Sequence, residues 1–259
     1  MRIILPALLS FLASFGPLAA AITGQPVEYR AGDVTCEGWQ AIEDQSDGRR
    51  PGVLIVHQWT GISDHEKEAA RKLAALGYNV FIADIYGKGI RPQPPAAGKE
   101  AGKYKADRAL LRARVNAALD VLRGDPRTDA SKLAAIGYCF GGTTVLELAR
   151  SGAAVSGVVS FHGGLDSPAP ADGRNIKGKV LALHGADDPF VPAKDIAAFE
   201  AEMKAASVGY ELVQYPGAVH GFTHKAAGDD KSKGAAYDAA ADRDSWQRME
   251  RFLEGLFGR

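Results

Sequence analysis

A cysteine stands at the centre of a segment whose residue types and spacing point to chemistry. Residues 134–146 read AAIGYCFGGTTVL, with Gly137 two residues before Cys139 and Gly141 two residues after it. A nucleophile held at a sharp turn between a strand and a helix needs small neighbours at these positions, because the two chain segments otherwise collide. The helix dipole would favour a thiolate and a developing oxyanion there. By itself, however, the pattern is equally typical of glycines that serve only packing.

Two later stretches supply an acid and a base. The stretch HGADDPFVP carries the adjacent carboxylates Asp187 and Asp188 just after an apolar segment, and VHGF carries His220 after the next one. A histidine can take up the proton of a thiol, and a carboxylate can hold its other ring nitrogen and stabilise the imidazolium. Three such groups, each at the carboxyl end of a predicted strand, indicate a nucleophilic hydrolase rather than a packing motif.

The elements that must position these groups alternate between short apolar runs and longer helical patterns. This alternation predicts an α/β fold, with a mostly parallel central sheet and helices on both faces. Ser63 or Asp64 can cap the first helix, and the Gly- and Pro-rich residues 87–102 are expected to form a loop bordering a pocket. Near-continuously apolar strands, covered on both faces, are predicted at 52–57, 79–84, 133–138, 155–161, 179–184 and 210–215, and helices at 63–76, 107–123, 142–151, 193–206 and 243–257.

Composition limits the classes of function that remain. The 259 residues contain 31 Lys and Arg against 31 Asp and Glu, so the basic surface of a nucleic-acid binder is not expected. At 46% hydrophobic residues, the chain suits one large core, and we predict a single domain over residues 22–259 that acts as a monomer on small molecules.

The N-terminal 21 residues have the layout of a secretory signal peptide. Arg2 precedes an interrupted apolar run that ends in three alanines, so we predict cleavage before Ile22 and a periplasmic or secreted protein without a membrane segment after cleavage. The alternative is an uncleaved anchor. An exported protein with two cysteines invites a disulfide, but a bridge between Cys36 and Cys139 would abolish the chemistry of the turn. The six histidines show no metal-ligand spacing, and neither a metal nor an organic cofactor is expected.

The motifs GYCFGG, HGADDPFVP and VHGF together resemble the dienelactone hydrolase family of α/β-hydrolases, from about residue 53 to the last helix. The resemblance implies a Cys-Asp-His triad of Cys139, Asp188 and His220, because the family pattern G-x-x-D-x-x-V-P selects Asp188 over Asp187. It also implies an oxyanion hole formed by the backbone N–H groups of Phe140 and Trp59.

Two positions depart from the family pattern. Gln58 stands where the family usually carries a glutamate that influences ionisation of the cysteine, and an amide cannot bear that charge. His224 stands where members acting on dienelactone carry an arginine that holds the substrate carboxylate. Tyr86 matches a tyrosine that the family places near the site. Lys88 or Arg91 in the adjoining loop could replace the missing positive charge, but solvated loop charges are the more typical interpretation of both.

We therefore expect hydrolysis of a small ester or lactone through a thioester on Cys139. A carboxylesterase or thioesterase for uncharged esters is the second interpretation, because of Gln58 and His224. A non-catalytic periplasmic binding protein that retains the fold is the third. Activation of the thiol either relies on His220 alone, or the activity differs from that of the family.

Overall fold

A computed structural model describes residues 22–43 and 48–258 of the chain. The predicted signal peptide, and with it the predicted location, falls outside these residues and stays a prediction. The described chain builds one sheet of eight strands in the order β1-β2-β4-β3-β5-β6-β7-β8. The strands are β1 (Ile22–Ala31), β2 (Val34–Glu43), β3 (Arg50–Val56), β4 (Asn79–Ala83), β5 (Thr128–Tyr138), β6 (Gly157–Phe161), β7 (Lys179–Gly185) and β8 (Tyr210–Tyr215).

The sheet is parallel from β4 to β8, and only β1 and β2 run antiparallel to their neighbours. One core cluster packs this sheet against α2, α3, α4 and α5, and a second cluster packs it against α1 and α6. The predicted α/β fold with helices on both faces is therefore confirmed. The helices are α1 (Asp64–Ala75), α2 (Ala96–Ala106), α3 (Arg108–Gly124), α4 (Phe140–Arg150), α5 (Ala193–Ala205) and α6 (Ala239–Phe257), with short 3₁₀ helices at Pro170–Asn175, Lys225–Ala227 and Lys231–Lys233.

The loop predicted at residues 87–102 is wrong in its second half, where α2 begins at Ala96. The helix forms because Ala97, Ala101 and Tyr104 follow helical spacing and are buried against the core, which outweighs the two glycines in the sequence. The residues before it, 87–95, are a loop as predicted. The new helix brings Gly98 within 4 Å of the Trp59 ring, measured from the Cβ position that an alanine would have.

Three other features of the fold differ from the sequence prediction or were missing from it. The antiparallel hairpin of β1 and β2 was not predicted, because β1 is mostly exposed and polar in sequence. Strand β8 is less buried than predicted because it is an edge strand: Leu212 and Val213 pack against opposite core clusters but are only partly buried, and Glu211 and Gln214 are exposed. Helix α6 begins at Ala239, four residues before the predicted start, because the Asp238 side chain accepts hydrogen bonds from the Ala240 and Ala241 backbone N–H groups.

Helix α4 is fixed at its far end by a buried ion network. The Arg150 guanidinium is fully buried and makes two hydrogen bonds to the Glu202 carboxylate, at 2.9 and 2.6 Å, and a third to Glu147 at 3.0 Å. Such a planar two-point pairing gives a buried charge both its counter-ion and its geometry. The network therefore joins α4, which begins directly after Cys139, to α5.

We predict that Arg150→Met lowers the free energy of unfolding by about 3–5 kcal/mol, because it leaves the buried Glu202 carboxylate without a cation. The matched control is Arg123→Met, whose Asp120 partner is solvent-exposed and whose loss should change stability by at most about 1 kcal/mol. Urea denaturation followed by circular dichroism measures both. Equal stability of the two variants would contradict the proposed anchoring of α4.

Candidate active site

Cys139 occupies a turn that only small neighbours permit. Its backbone has φ 55° and ψ −113°, between the last residue of β5 and the first residue of α4. A Cβ atom on Gly137 would lie 2.1 Å from the Gly141 carbonyl oxygen, and one on Gly141 would lie 2.2 Å from the Val56 carbonyl oxygen. Both glycines are thus required by backbone contact, and the positive φ of a non-glycine residue is strain of the kind found at functional sites.

The structure brings together the three residues of the expected triad. His220 Nε2 lies 3.0 Å from Cys139 Sγ, and His220 Nδ1 lies 2.8 Å from Asp188 Oδ2. Asp188 is buried in the turn after β7, where its other oxygen accepts a hydrogen bond from the Phe190 backbone N–H at 2.8 Å. Asp187 is exposed. The carboxylate that contacts the histidine is therefore Asp188, the one selected by the family pattern.

The electrostatics of this contact favour the charged forms of both partners. Burial acts to raise the pKa of the Cys139 thiol, but the adjacent His220 outweighs burial and the pKa falls below its ordinary value. Burial acts to lower the pKa of His220, but the Cys139 thiolate and the Asp188 carboxylate raise it to about 10. The contact therefore favours the thiolate–imidazolium form of the pair against the opposing effect of burial.

The two expected oxyanion donors belong to the thiol-bearing turn and to the loop after the neighbouring strand β3. Phe140 is the first residue of α4, and its backbone N–H helps to lower the pKa of the Cys139 thiol. Trp59 lies in the loop after β3, and Gly141 brings the first turn of α4 into contact with the end of that strand at Val56. The loop is held by Tyr86, whose hydroxyl donates to the Trp59 carbonyl oxygen at 2.9 Å.

Gln58 and His224, which depart from the family pattern, contact each other. The Gln58 Nε2 atom lies 3.2 Å from His224 Nδ1, so the amide donates and the ring nitrogen accepts. His224 also lines a cleft of about 440 Å³ between α1 and α6, whose lining includes Tyr138 and Trp246 but not Cys139. The Gln58 side chain is therefore engaged by the histidine at the position of the missing arginine.

The two loop cations near the site, Lys88 and Arg91, pair with carboxylates. Lys88 pairs with Glu28, and Arg91 lies 3.4 Å from the Asp84 carboxylate, so neither loop cation is free to replace the arginine. Besides His220, Lys105, exposed on α2, helps to lower the pKa of Cys139. Lys105 was not among the predicted site residues, because its position depends on α2, whose start at Ala96 lies inside the predicted loop.

Two further features complete the description of the site. Cys36 is a buried free thiol, and no disulfide joins it to Cys139. Tyr86 is buried, and burial together with the nearby Cys139 raises the pKa of its hydroxyl well above the ordinary value, so it remains a hydrogen-bond donor. Across residues 22–43 and 48–258, no helix combines the length and apolar character needed to cross a membrane.

The fold and the site together define an α/β-hydrolase. The sequence model of the dienelactone hydrolase family matches residues 37–257, and the chain belongs to that family. A solved structure described as a dienelactone hydrolase-like promiscuous phosphotriesterase from metagenomic libraries is 39% identical, with a TM-score of 0.86 over 91% of this chain and 99% of that one.

Two sequence relatives carry provisional enzyme names. A Synechocystis protein provisionally named carboxymethylenebutenolidase is 26% identical over 80% of this chain and 87% of its own length. A Bradyrhizobium protein provisionally named 2-oxo-3-(5-oxofuran-2-ylidene)propanoate lactonase is 30% identical over 68% of this chain and 74% of its own length. These names agree with a hydrolase of the family.

The lowered thiol pKa leads to a prediction for alkylation of Cys139 by iodoacetamide. The wild-type rate should persist as pH falls below the ordinary thiol pKa. His220→Ala removes the main influence that opposes burial, so the inflection of the rate against pH should move to higher pH. At pH 7 this variant should react about tenfold more slowly, because an ordinary thiol is only a few per cent ionised there.

Asp188→Asn should shift the inflection in the same direction, because it removes the carboxylate that raises the pKa of His220. Asp187→Asn is the matched control, since Asp187 is adjacent in sequence but exposed. Mass spectrometry of the peptide containing Cys139 follows the reaction. Identical profiles for the two asparagine variants would contradict the role of Asp188.

Proposed function

We propose that this protein hydrolyses small esters or lactones through a covalent thioester on Cys139. The observation that carries the proposal is the continuous chain of contacts from Cys139 Sγ to His220 and on to Asp188, at 3.0 and 2.8 Å. A nucleophile, a base within hydrogen-bonding distance and a carboxylate that orients the base are the parts that acyl transfer needs. A non-catalytic binding protein has no need of this arrangement.

In the acylation step, the Cys139 thiolate attacks the carbonyl carbon of the ester. The C=O electron pair moves onto oxygen, and the Phe140 and Trp59 N–H groups stabilise the resulting oxyanion. When the tetrahedral species collapses, the C–O bond to the alcohol breaks and the His220 imidazolium donates its proton to the leaving alkoxide. The products are a thioester on Cys139 and a free alcohol. In a lactone, the alcohol stays attached to the acyl chain.

In the deacylation step, neutral His220 accepts a proton from water as the water oxygen attacks the thioester carbonyl. The same two N–H groups stabilise the second oxyanion. Collapse of this species breaks the C–S bond, releases the carboxylic acid and restores the thiolate beside the imidazolium. Asp188 retains its negative charge throughout and keeps the His220 ring in the orientation that both steps need.

The contacts of Gln58 support activation of the thiol by His220 without a second carboxylate. Gln58 is neutral and donates to His224, whereas His220 contacts the sulfur directly and is the main influence that lowers the pKa of Cys139 against burial. The sequence leaves two alternatives open, and we therefore propose the first, in which activation of the Cys139 thiol relies on His220 alone.

A carboxylesterase that accepts uncharged esters is a second candidate, favoured by the apolar side chains near the site. The Phe190 side chain is 62% exposed, and its ring stands edge-on to His220 with its centroid 5.4 Å away. Trp59, the residue of the second proposed oxyanion donor, is 36% exposed. Exposed large apolar side chains beside a site can contribute to a binding surface. They would accommodate an apolar acyl or alcohol group.

Replacement of either cysteine tests the proposal. Cys139→Ala should lower kcat for p-nitrophenyl butyrate by at least about 10³-fold, because it removes the nucleophile. Cys36→Ala is the matched control: Cys36 is a buried free thiol in β2, and its loss should leave kcat within about twofold. Stopped-flow absorbance measures turnover, and intact-protein mass spectrometry should detect an acyl adduct in wild type and in Cys36→Ala only.

Parallel assays with a dienelactone and with paraoxon compare the candidate substrates. The dienelactone carries a carboxylate, whereas the butyrate ester does not, so their relative kcat/KM separates the two candidate functions. Paraoxon examines the phosphotriesterase activity named for the 39% identical relative. Failure of folded wild-type protein to turn over any of the three compounds would overturn the enzyme proposal.

A further inference from the structure

The peptide unit between Gln58 and Trp59 has its carbonyl oxygen held by two donors. Gln58 O accepts a hydrogen bond from His57 Nδ1 at 2.6 Å and another from the Gly61 backbone N–H at 3.2 Å. In a planar trans peptide the carbonyl and the N–H of one unit point in opposite directions. Fixing Gln58 O therefore fixes the direction of the Trp59 N–H, which is the second oxyanion donor of the proposed mechanism.

His57 is built to serve as a donor to this carbonyl. The Ile85 backbone N–H donates to His57 Nε2 at 3.2 Å, so the ring proton lies on Nδ1 and points at Gln58 O. The ring is fully buried between Tyr86 and Phe140, with centroid distances of 4.7 and 5.8 Å. Burial lowers the pKa of His57, which keeps the ring in this neutral form.

Glu66 holds the two ends of the same loop from the side of α1. Its fully buried carboxylate accepts hydrogen bonds from the Gln58 backbone N–H at 3.2 Å, from the Ser63 backbone N–H at 2.8 Å and from Ser63 Oγ at 2.7 Å. Across the described residues, no lysine or arginine forms a salt bridge with it. A buried carboxylate without a cation depends on such donors for its stability, so the carboxylate and the loop constrain each other.

We propose that His57 and Glu66 are positioning residues that hold the Trp59 N–H toward the oxyanion. His57 fixes the orientation of the peptide, and Glu66 fixes the positions of Gln58 and Ser63 at the ends of the loop. The inference rests on the proposed function, since it concerns the oxyanion of that reaction. Neither residue contacts the reacting atoms, and both act through the backbone of residues 58–63.

The test compares pairs of variants at each position with p-nitrophenyl butyrate. His57→Phe keeps an aromatic ring but removes the donor, and should lower kcat by about 10- to 100-fold, a part of the 10²–10³-fold effect of losing a whole oxyanion donor. His57→Asn retains an N–H group near the position of Nδ1 and should recover part of that loss. Glu66→Gln should lower kcat by about tenfold, because an amide cannot accept all three hydrogen bonds. KM should stay within about twofold in each variant.

Alkylation of Cys139 by iodoacetamide separates positioning from general disruption. This reaction uses the thiolate but forms no oxyanion, so its rate should stay within about twofold of wild type in all three variants. Glu68→Gln is the matched control, because Glu68 lies exposed on the same helix, and its kcat should not change. Loss of alkylation in parallel with kcat, or unchanged kcat in folded His57→Phe and Glu66→Gln, would overturn the proposal.

Ser63→Ala tests the positioning proposal if the variants at the buried residues His57 and Glu66 do not fold. It removes one donor to Glu66 from a half-buried site, and should lower kcat about two- to fivefold with unchanged alkylation. Wild-type kcat in this variant would then overturn the proposal. Inactive wild-type protein would instead refute the proposed function, so the two failures are distinguishable.

Discussion

The close backbone contact between the turn at Cys139 and the end of β3 is the constraint on which the site depends. Gly141 can approach the Val56 carbonyl only because it has no Cβ, and Gly137 meets Gly141 in the same way. This approach brings the start of α4 beside the loop that carries Trp59. The proposed nucleophile and the loop of the second proposed oxyanion donor therefore come together through one steric condition, which larger residues at either glycine would violate.

A second layer of organisation is electrostatic. The pairing of Cys139 with His220 is favourable only because each ion has the other beside it, since burial alone opposes both charges. Asp188 adds to the charge on His220 and fixes its ring. At the opposite end of α4, Arg150 and Glu202 form a second buried pair. Helix α4 thus begins beside the Cys139–His220 pair of the proposed reaction and ends at the Arg150–Glu202 pair, which holds it to α5.

Much of this site could be predicted from the sequence, because the glycine spacing, the order of the three groups and their places after strands are local signals. The sequence distinguishes Asp188 from Asp187 only through the family pattern around the two residues. In the structure Asp188 is buried and Asp187 is exposed. Helix α2 and Lys105 were missed because tertiary burial of Ala97, Ala101 and Tyr104 overrode local glycine content. The contacts of His57 and Glu66 with the backbone of Gln58 could not be predicted, since they join groups whose directions only the folded loop defines.

The strand order determines which part of the site is lost first by local unfolding. The thiol and the proposed oxyanion donors follow β5 and β3 in the middle of the sheet, whereas His220 follows β8, the half-exposed edge strand. Edge elements with few buried contacts open at lower free energy than the strands they flank. His220, the proposed proton-transfer partner, is consequently the triad residue most easily displaced by local unfolding, and the reactivity of the thiol should be lost while the interior of the sheet is still folded.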